Sequence, residues 1–176
     1  LDYKKDKVIF DSMSGELEIK YKGEFIQMDF PHRKPVKANL PKNIMDSLSY
    51  KPIEVLKSRD YVLVYENKDK IKNIKIDKEL FDKTNLDPGG VVITSTGFNS
   101  DFVSRYFVPQ CSFFEDPVTG STHCSLVPYW SEKLGKIKMR SIQLSDRGGE
   151  MFCEDAKTRV IINGQAKTYL KGKIYI

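Results

Sequence analysis

The segment of residues 121–134 constrains the fold more than any other part of this 176-residue chain. Its apolar side chains cover most of the circumference of a helix instead of a single stripe: Cys124, Leu126, Val127, Tyr129, Trp130 and Leu134. A helix that is apolar on nearly every side must be surrounded by protein. Pro128 removes one backbone hydrogen bond from it and bends it, and Gly135 supplies a left-handed stop. We therefore expect one buried helix here.

Short segments with strand character fill most of the remaining chain. Residues 16–21 and 25–30 alternate around a turn at Lys22-Gly23, which predicts a β-hairpin with one buried face. Further strands are expected at residues 61–65, 71–76, 91–94, 102–108, 138–144, 150–153, 159–162, 166–170 and 173–176. Short helices are expected after Pro41 and after Asp77, whose side chain can cap its helix. The predicted fold class is α+β, with antiparallel strands forming a barrel wrapped around the central helix.

Composition and cysteine usage exclude several classes of protein. Hydrophobic residues make up 40% of the chain and Gly and Pro are few, so disordered and collagen-like classes are excluded. No apolar run approaches the ~18–20 residues of a membrane helix, and no secretion signal is visible, so no membrane partner is expected. Cys111, Cys124 and Cys153 are odd in number and widely spaced, which argues for a reducing compartment. We expect a cytoplasmic location.

The charge pattern and the histidines exclude two further kinds of site. The net charge is +5, but the lysines are scattered among acidic and polar residues, which indicates a solvated face. No nucleic-acid recognition motif accompanies them, so no nucleic-acid partner is expected. His32 and His123 are too few for a multi-histidine metal site, and the Cys and His spacings of structural zinc are absent. No metal is expected.

Residues 113–123, with the sequence FFEDPVTGSTH, carry the densest functional signal. Two carboxylates, a proline and Thr-Gly-Ser lead directly into the buried helix. The free N–H groups at the helix start predict an anion site for a substrate carboxylate, which the backbone of Gly120 lets approach closely. Ser121 can cap the helix or hold that anion. Asp116, near a helix end of low dielectric, is a candidate to give or take a proton.

The same segment also fits a purely structural strand, turn and helix cap. By local logic His123 is a packing or capping group more often than a ligand. Cys124 is a small core residue, although a helix N-terminus lowers the pKa of a thiol. The residue types by themselves leave both interpretations open.

A longer string, EDPVTGSTHCSLVPYWSEKLGK, closely resembles the phenazine-biosynthesis (PhzF-like) isomerase family, which is similar in fold to diaminopimelate epimerase. Other matching pieces are SGELEI at residues 14–19, MDFP at 28–31, DFVSRYFVP at 101–109 and SDRGGE at 145–150. Their order and spacing match the family over essentially the whole chain.

The resemblance implies two similar lobes that face each other across a cleft. Proteins of this family move protons on small carboxylic acids without metal or pyridoxal phosphate, so no cofactor is expected. By analogy, Asp116 and Ser121 are catalytic, and Thr119, Gly120 and Ser121 bind the substrate. Thr119 also orients the loop, and residues 147–149 line the edge of the pocket.

One part of the family pattern has no counterpart here. The family's principal base is a glutamate of the first lobe, near a Gly-His pair, whereas Glu16 and Glu18 lie on the hairpin and His32 follows Phe-Pro. Residues 36–176 therefore resemble the second lobe, and residues 1–35 the last strands of an otherwise missing N-terminal lobe. The final strand is expected to return toward that lobe. We expect a cofactor-independent isomerase or epimerase as part of a longer parent, with the isolated chain nearly inert.

Two other functions stay open from the sequence. A catalytically incomplete binding module would use the Gly120–Ser121 helix start only to hold a small anion; the missing glutamate favours it, and the presence of Asp116 speaks against it. A self-associating domain, including a homodimer, would pair through the apolar residues Phe25, Met28 and Phe30 if their barrel is absent.

Overall fold

One mixed sheet provides the framework of the protein in the computed structural model, which describes residues 7–173. Its strands are β1 Lys7–Ser12, β2 Gly15–Lys22, β3 Phe25–Pro31, β4 Val36–Lys37, β5 Glu54–Lys57, β6 Tyr61–Val64, β7 Val91–Thr96, β8 Phe102–Phe107, β9 Glu115–Asp116, β10 Lys138–Gln143, β11 Gly149–Asp155 and β12 Arg159–Gly164. The helices are α1 Lys42–Ser47, α2 Lys68–Asn73, α3 Lys78–Phe81 and α4 His123–Leu134. The α+β class is therefore confirmed.

The strand order shows that the sheet is open. It runs β1-β2-β3-β12-β11-β10-β8-β7-β6-β5-β4, with β9 paired to β8, and within residues 7–173 no pairing joins the two ends. The pairs β6/β7 and β8/β10 are parallel and the others are antiparallel. Parallel neighbours need a crossover connection, and α4 lies in the crossover from β8 to β10. The expected closed antiparallel barrel is therefore corrected to an open, mixed sheet.

The central helix is buried as its sequence requires. Every residue from 123 to 130 is buried, and α4 packs against β10, β11 and β12. The indole Nε1 of Trp130 donates a hydrogen bond to Thr94 Oγ1 at 3.0 Å, so its one polar atom is satisfied in the core. Gly135 ends the helix with φ 64°, which confirms the predicted left-handed stop.

A second apolar cluster covers the other face of the central strands. On β6, Val62 and Val64 belong to the cluster around α4, whereas Tyr61 and Leu63 belong to the cluster with α1, α2 and α3. Successive strand residues point to opposite faces, so β6 is buried on both sides. The sheet therefore separates α4 from the three short helices.

The hairpin and the short helices largely follow the predictions. β2 pairs antiparallel with β3, and β3 in turn pairs with β12, so the first strands share one sheet with the rest of the chain. Asp77 accepts a hydrogen bond from Leu80 N and caps α3 as expected. The domain boundary at residue 35 stays a prediction.

Two predicted strands are wrong. The sequence predicts a strand at residues 71–76, but the structure has the helix α2 at Lys68–Asn73. Asn67 caps this helix by accepting a hydrogen bond from Lys70 N. The three-residue spacing of the buried Ile71 and Ile74 fits a helix face, and the cap decides between the two patterns. Residues 166–170 have no regular structure, and the strand predicted for 173–176 lies outside the described residues except for its first position.

The three cysteines are free thiols, as their spacing predicts. Burial raises the pKa of the Cys124 thiol, and it raises the pKa of the Cys153 thiol to about 12. Both side chains therefore stay protonated at neutral pH and act as small core residues. No helix in residues 7–173 is long and apolar enough to cross a bilayer.

Shortening a buried side chain of α4 tests the burial of this helix. We expect Leu126→Ala, at a fully buried position, to lower the free energy of unfolding by about 2–5 kcal/mol, because it leaves a cavity in the core. The control Glu132→Ala, on the exposed side of the same helix, is expected to cost less than about 1 kcal/mol. Urea denaturation measures both, and equal losses would contradict the packing described.

Candidate functional site

A cavity of about 760 Å³ opens at the start of α4. Part of its wall is apolar and comes mainly from the sheet: Ile26, Met28, Phe30, Val118 and Met151. The rest is polar or backbone and comes from three segments, namely Gly120 with Ser121, residues 147–150 and residues 164–167. The lining therefore combines an apolar surface with Arg147 and Lys167, a combination that suits a small organic anion.

Gly120 and Ser121 lie where the sequence places them, at the mouth of the buried helix. A Cβ on Gly120 would meet only Phe30 Cε2, at 3.8 Å, so the space beside this backbone is open to the cavity. Within the described residues, the N–H groups of Gly120, Ser121 and Thr122 have no acceptor, because the first turn of α4 begins with their carbonyls. These donors can hold an anion at the positive end of the helix.

Ser121 does not cap the helix, which corrects one of its two expected roles. The residue before α4 is Thr122, whose side chain makes no capping bond and donates to Thr119 O instead. Ser121 Oγ accepts a hydrogen bond from Arg59 Nη2 at 3.1 Å. Because the oxygen of Ser121 accepts this bond, its hydroxyl proton remains available to donate to a ligand.

Arg59 is held by a buried carboxylate that local sequence logic did not identify. Its Nε and Nη2 both donate to Asp60 Oδ2, at 3.0 and 2.7 Å. Asp60 is only 2% exposed, and its other oxygen accepts from Gly90 N and Tyr106 Oη. A buried charge needs such a complete set of partners, so this network fixes Arg59 beside Ser121.

Arg59 and Tyr106 keep their usual protonation states near neutral pH. Burial works to lower the pKa of the Arg59 guanidinium, but the hydrogen bond and the charge of Asp60 outweigh it and raise that pKa. Burial, together with the Asp60 carboxylate, raises the pKa of the Tyr106 hydroxyl well above its usual value. Arg59 therefore remains a cation and Tyr106 a neutral donor.

Asp116 lies behind the cavity wall instead of on it. It is half-buried at the end of β9, paired with Tyr106 of β8, and it is not among the cavity-lining residues. Its Oδ2 accepts a hydrogen bond from Thr119 Oγ1 at 2.7 Å. Thr119, buried and close to Gly120, therefore ties Asp116 to the turn that opens into the cavity.

The turn of residues 145–149 completes the edge of the cavity. Ser145 Oγ donates to Pro117 O at 2.6 Å and accepts from Gly148 N, so it ties this turn to the segment before α4. A Cβ on Gly149 would overlap the side chain of Val118, so any larger residue there would force Val118 to move. Arg147 lines the cavity beside them, as the resemblance implies.

His123 is a buried support for this turn. Nδ1 lies 3.0 Å from Thr119 O, which only accepts, so Nδ1 carries the proton. Nε2, 2.7 Å from Ser141 Oγ, then accepts from that hydroxyl. Burial lowers the pKa of His123 to about 4, so the imidazole is neutral at physiological pH. The packing role expected of His123 is confirmed.

The fold and the site together define an α+β protein with an open cavity at the start of a buried helix. The family model described as phenazine biosynthesis-like protein matches residues 1–172. The chain belongs to this family. Within residues 7–173 no cluster of three or more His, Cys, Asp or Glu side chains suits a metal ion.

Relatives and solved structures agree with this assignment. An uncharacterized isomerase of Pseudomonas aeruginosa is 36% identical over 167 residues, covering 95% of this chain and 64% of the relative. A human phenazine biosynthesis-like domain-containing protein is 31% identical over 185 residues, covering 94% and 64%. A PhzC/PhzF protein from Clostridium difficile has a TM-score of 0.86 at 40% identity, covering 100% of this chain and 68% of that structure. The chain thus spans about 64% of the length of these curated relatives.

A pH series tests the buried neutral state of His123. The unfolded chain takes up a proton near pH 6.5, whereas the folded state resists it to about pH 4, so the free energy of unfolding should fall as pH drops through this window. The loss is roughly 3 kcal/mol at ~1.36 kcal/mol per pKa unit. Urea titrations at several pH values should show that His123→Gln lacks this decline; the same decline in both proteins would refute the assignment.

Proposed function

We propose that this chain supplies one wall and one acid–base group of a cofactor-independent isomerase or epimerase that acts on a small carboxylic acid. Membership in the phenazine biosynthesis-like family and relatives named as isomerases support this class. One observation carries the proposal: the turn that binds Asp116 through Thr119 is the turn whose Gly120 and Ser121 open into the cavity. Anion-binding donors and a carboxylate thus share one rigid segment.

The substrate carboxylate binds at the helix start in this scheme. It accepts from the free N–H groups of Gly120 and Ser121 and from the Ser121 hydroxyl, whose oxygen already accepts from Arg59. The positive end of α4 and the Arg59 cation stabilise its negative charge. The apolar wall receives the remainder of the molecule.

In this scheme Asp116, held directly behind the turn of Gly120 and Ser121, is the group that exchanges a proton with a carbon of the bound acid. One proton leaves a carbon next to an electron-withdrawing group. A proton then returns either to the same carbon from the other side, or to a different carbon, which moves a double bond. The composition of the substrate does not change, so the product is an epimer or a double-bond isomer. The bound carboxylate and its fixed donors stabilise the charge that develops.

Such a shift needs a second acid–base group opposite Asp116. Among the residues that line the cavity, Glu150 is the one carboxylate, and it already pairs with Arg140. We infer that the second group comes from a segment outside this sequence, as the family's first-lobe glutamate implies. The 176 residues alone should therefore be nearly inert. The cytoplasmic location of the protein stays a prediction.

A second function, self-association, is favoured by one surface. Among the strands of residues 7–173, β1 forms an end of the sheet, and its Ile9 and Phe10 are about half exposed. An edge strand with exposed apolar residues is prone to pair with another chain. Sedimentation of the chain with and without the segment that completes the cavity separates a homodimer from a surface that this segment covers.

Removing the carboxylate of Asp116 tests the proposed chemistry. The chain is supplied with the part of the Clostridium difficile relative that it does not match, and deuterium uptake from D₂O into a panel of small carboxylic acids is followed by NMR. We expect Asp116→Asn to slow uptake by about 10²–10⁴-fold, because one general acid–base group is lost. The control Asp146→Asn, exposed in the turn beside the cavity, should leave the rate unchanged.

Three outcomes would contradict this account. Unchanged deuterium uptake in Asp116→Asn would remove this residue from the mechanism. Rapid uptake by the 176 residues alone would show that no second segment is needed. A complemented wild-type protein that labels no acid in the panel would contradict the isomerase class.

A further inference from the structure

Both polar atoms of the Gln143 side chain form hydrogen bonds to the turn that holds Asp116. Gln143 lies at the end of β10 and is 1% exposed. Its Oε1 accepts from Thr119 N at 2.8 Å, and its Nε2 donates to Asp116 O at 2.6 Å and to Thr119 Oγ1 at 3.2 Å. All three partners belong to residues 116–119, more than 20 positions away in the chain.

These bonds permit only one orientation of the amide. Thr119 N–H can only donate and the Asp116 carbonyl can only accept, so the oxygen and nitrogen of Gln143 cannot exchange places. The orientation is therefore set by the backbone of the turn. A buried amide with both ends satisfied is also held firmly, because either end would lose its partner on rotation.

The fixed amide also sets the direction of the Thr119 hydroxyl. Thr119 Oγ1 accepts from Gln143 Nε2, so its own proton is free to point at Asp116 Oδ2, 2.7 Å away. A chain of donors thus runs from Gln143 through Thr119 to one oxygen of Asp116. Within the described residues the other oxygen, Oδ1, has no hydrogen-bond partner.

We propose that Gln143 is a positioning residue, which acts through Thr119 to hold the Asp116 carboxylate in the orientation that the proton exchange needs. This inference rests on the proposed function and adds the residue that orients its acid–base group. Gln143 contacts neither the cavity nor the substrate site, so its effect is transmitted entirely by the turn.

A purely structural Gln143 would make a different prediction. If the side chain only filled space, Gln143→Met, which keeps a similar volume, would preserve the reaction. If the donor chain matters, the same change lets the Thr119 hydroxyl and the Asp116 carboxylate rotate. Misplacement of a reacting group by about 1 Å can cost 10²-fold in rate.

The test measures kcat and KM in the complemented deuterium-uptake assay. Gln143→Met and Thr119→Val should each lower kcat by about 10–10²-fold with KM nearly unchanged, because the donors of Gly120 and Ser121 stay in place. Thr119→Ser keeps the hydroxyl and should restore most of the rate. Ser104→Ala, which removes a buried hydroxyl without a partner on neighbouring β8, is the control and should leave both constants unchanged.

A second measurement needs no substrate and separates this inference from the proposed function. The Thr119 amide donates to Gln143 Oε1, so its hydrogen exchange should accelerate in Gln143→Met and not in Ser104→Ala. Unchanged exchange at Thr119 would overturn the bond on which the inference depends. Faster exchange with an unchanged kcat would overturn the positioning role, and an inactive wild-type protein would overturn the proposed function itself. Thr119→Val provides the kinetic test if Gln143→Met does not fold.

Discussion

The burial of α4 forces polar groups at its N-terminal end into the protein interior, and the rest of the site depends on how those groups are satisfied. A buried polar group without a partner costs free energy, and a buried charge costs more. The fold meets this requirement with side chains of β10 and of the segment just before β6. His123 bonds to Ser141 of β10, Gln143 of β10 bonds to the turn, and Asp60 balances Arg59.

These hydrogen bonds fix the segment that leads into α4, residues 116–121. Connections before helices are usually mobile, but residues 116–121 are tied to β10, to the turn of residues 145–149 and to Arg59. Within the described residues, the groups left without partners are the backbone N–H groups at the helix start, which open into the cavity, and one oxygen of Asp116, which lies behind its wall. A site of this kind is preorganised, because its donors do not have to be reordered when a ligand binds.

Local sequence patterns predicted the central helix, its stop at Gly135, the first hairpin and the turn that enters the site. Each of these depends on residues that are neighbours in sequence. The open sheet could not be predicted in this way, because parallel and antiparallel pairing are decided by which distant strands meet. In residues 71–76, Ile74 and Ile76 are spaced as in a strand, whereas Ile71 and Ile74 are spaced as in a helix, and the cap at Asn67 decides between the two.

The supporting residues of the site were missed for the same reason. Arg59 meets Ser121 across 62 positions, and Gln143 meets Thr119 across 24. Neither carries a local motif. The sequence analysis drew nothing from Arg59-Asp60, although an arginine and an acidic residue directly before the apolar strand β6 are the one local signal that could have indicated a buried ion pair. The anion-binding roles of Gly120 and Ser121 came from the residues at the helix start, and the role of Thr119 came from the family resemblance. The structure adds the contacts that explain how they are held.

Buried hydrogen bonds hold residues 116–122 rigid before any ligand binds. ¹⁵N relaxation of the free protein measures this directly. We expect backbone order parameters of about 0.85 along this segment, equal to those within α4, whereas values below ~0.6 would show a mobile loop and contradict a rigid site.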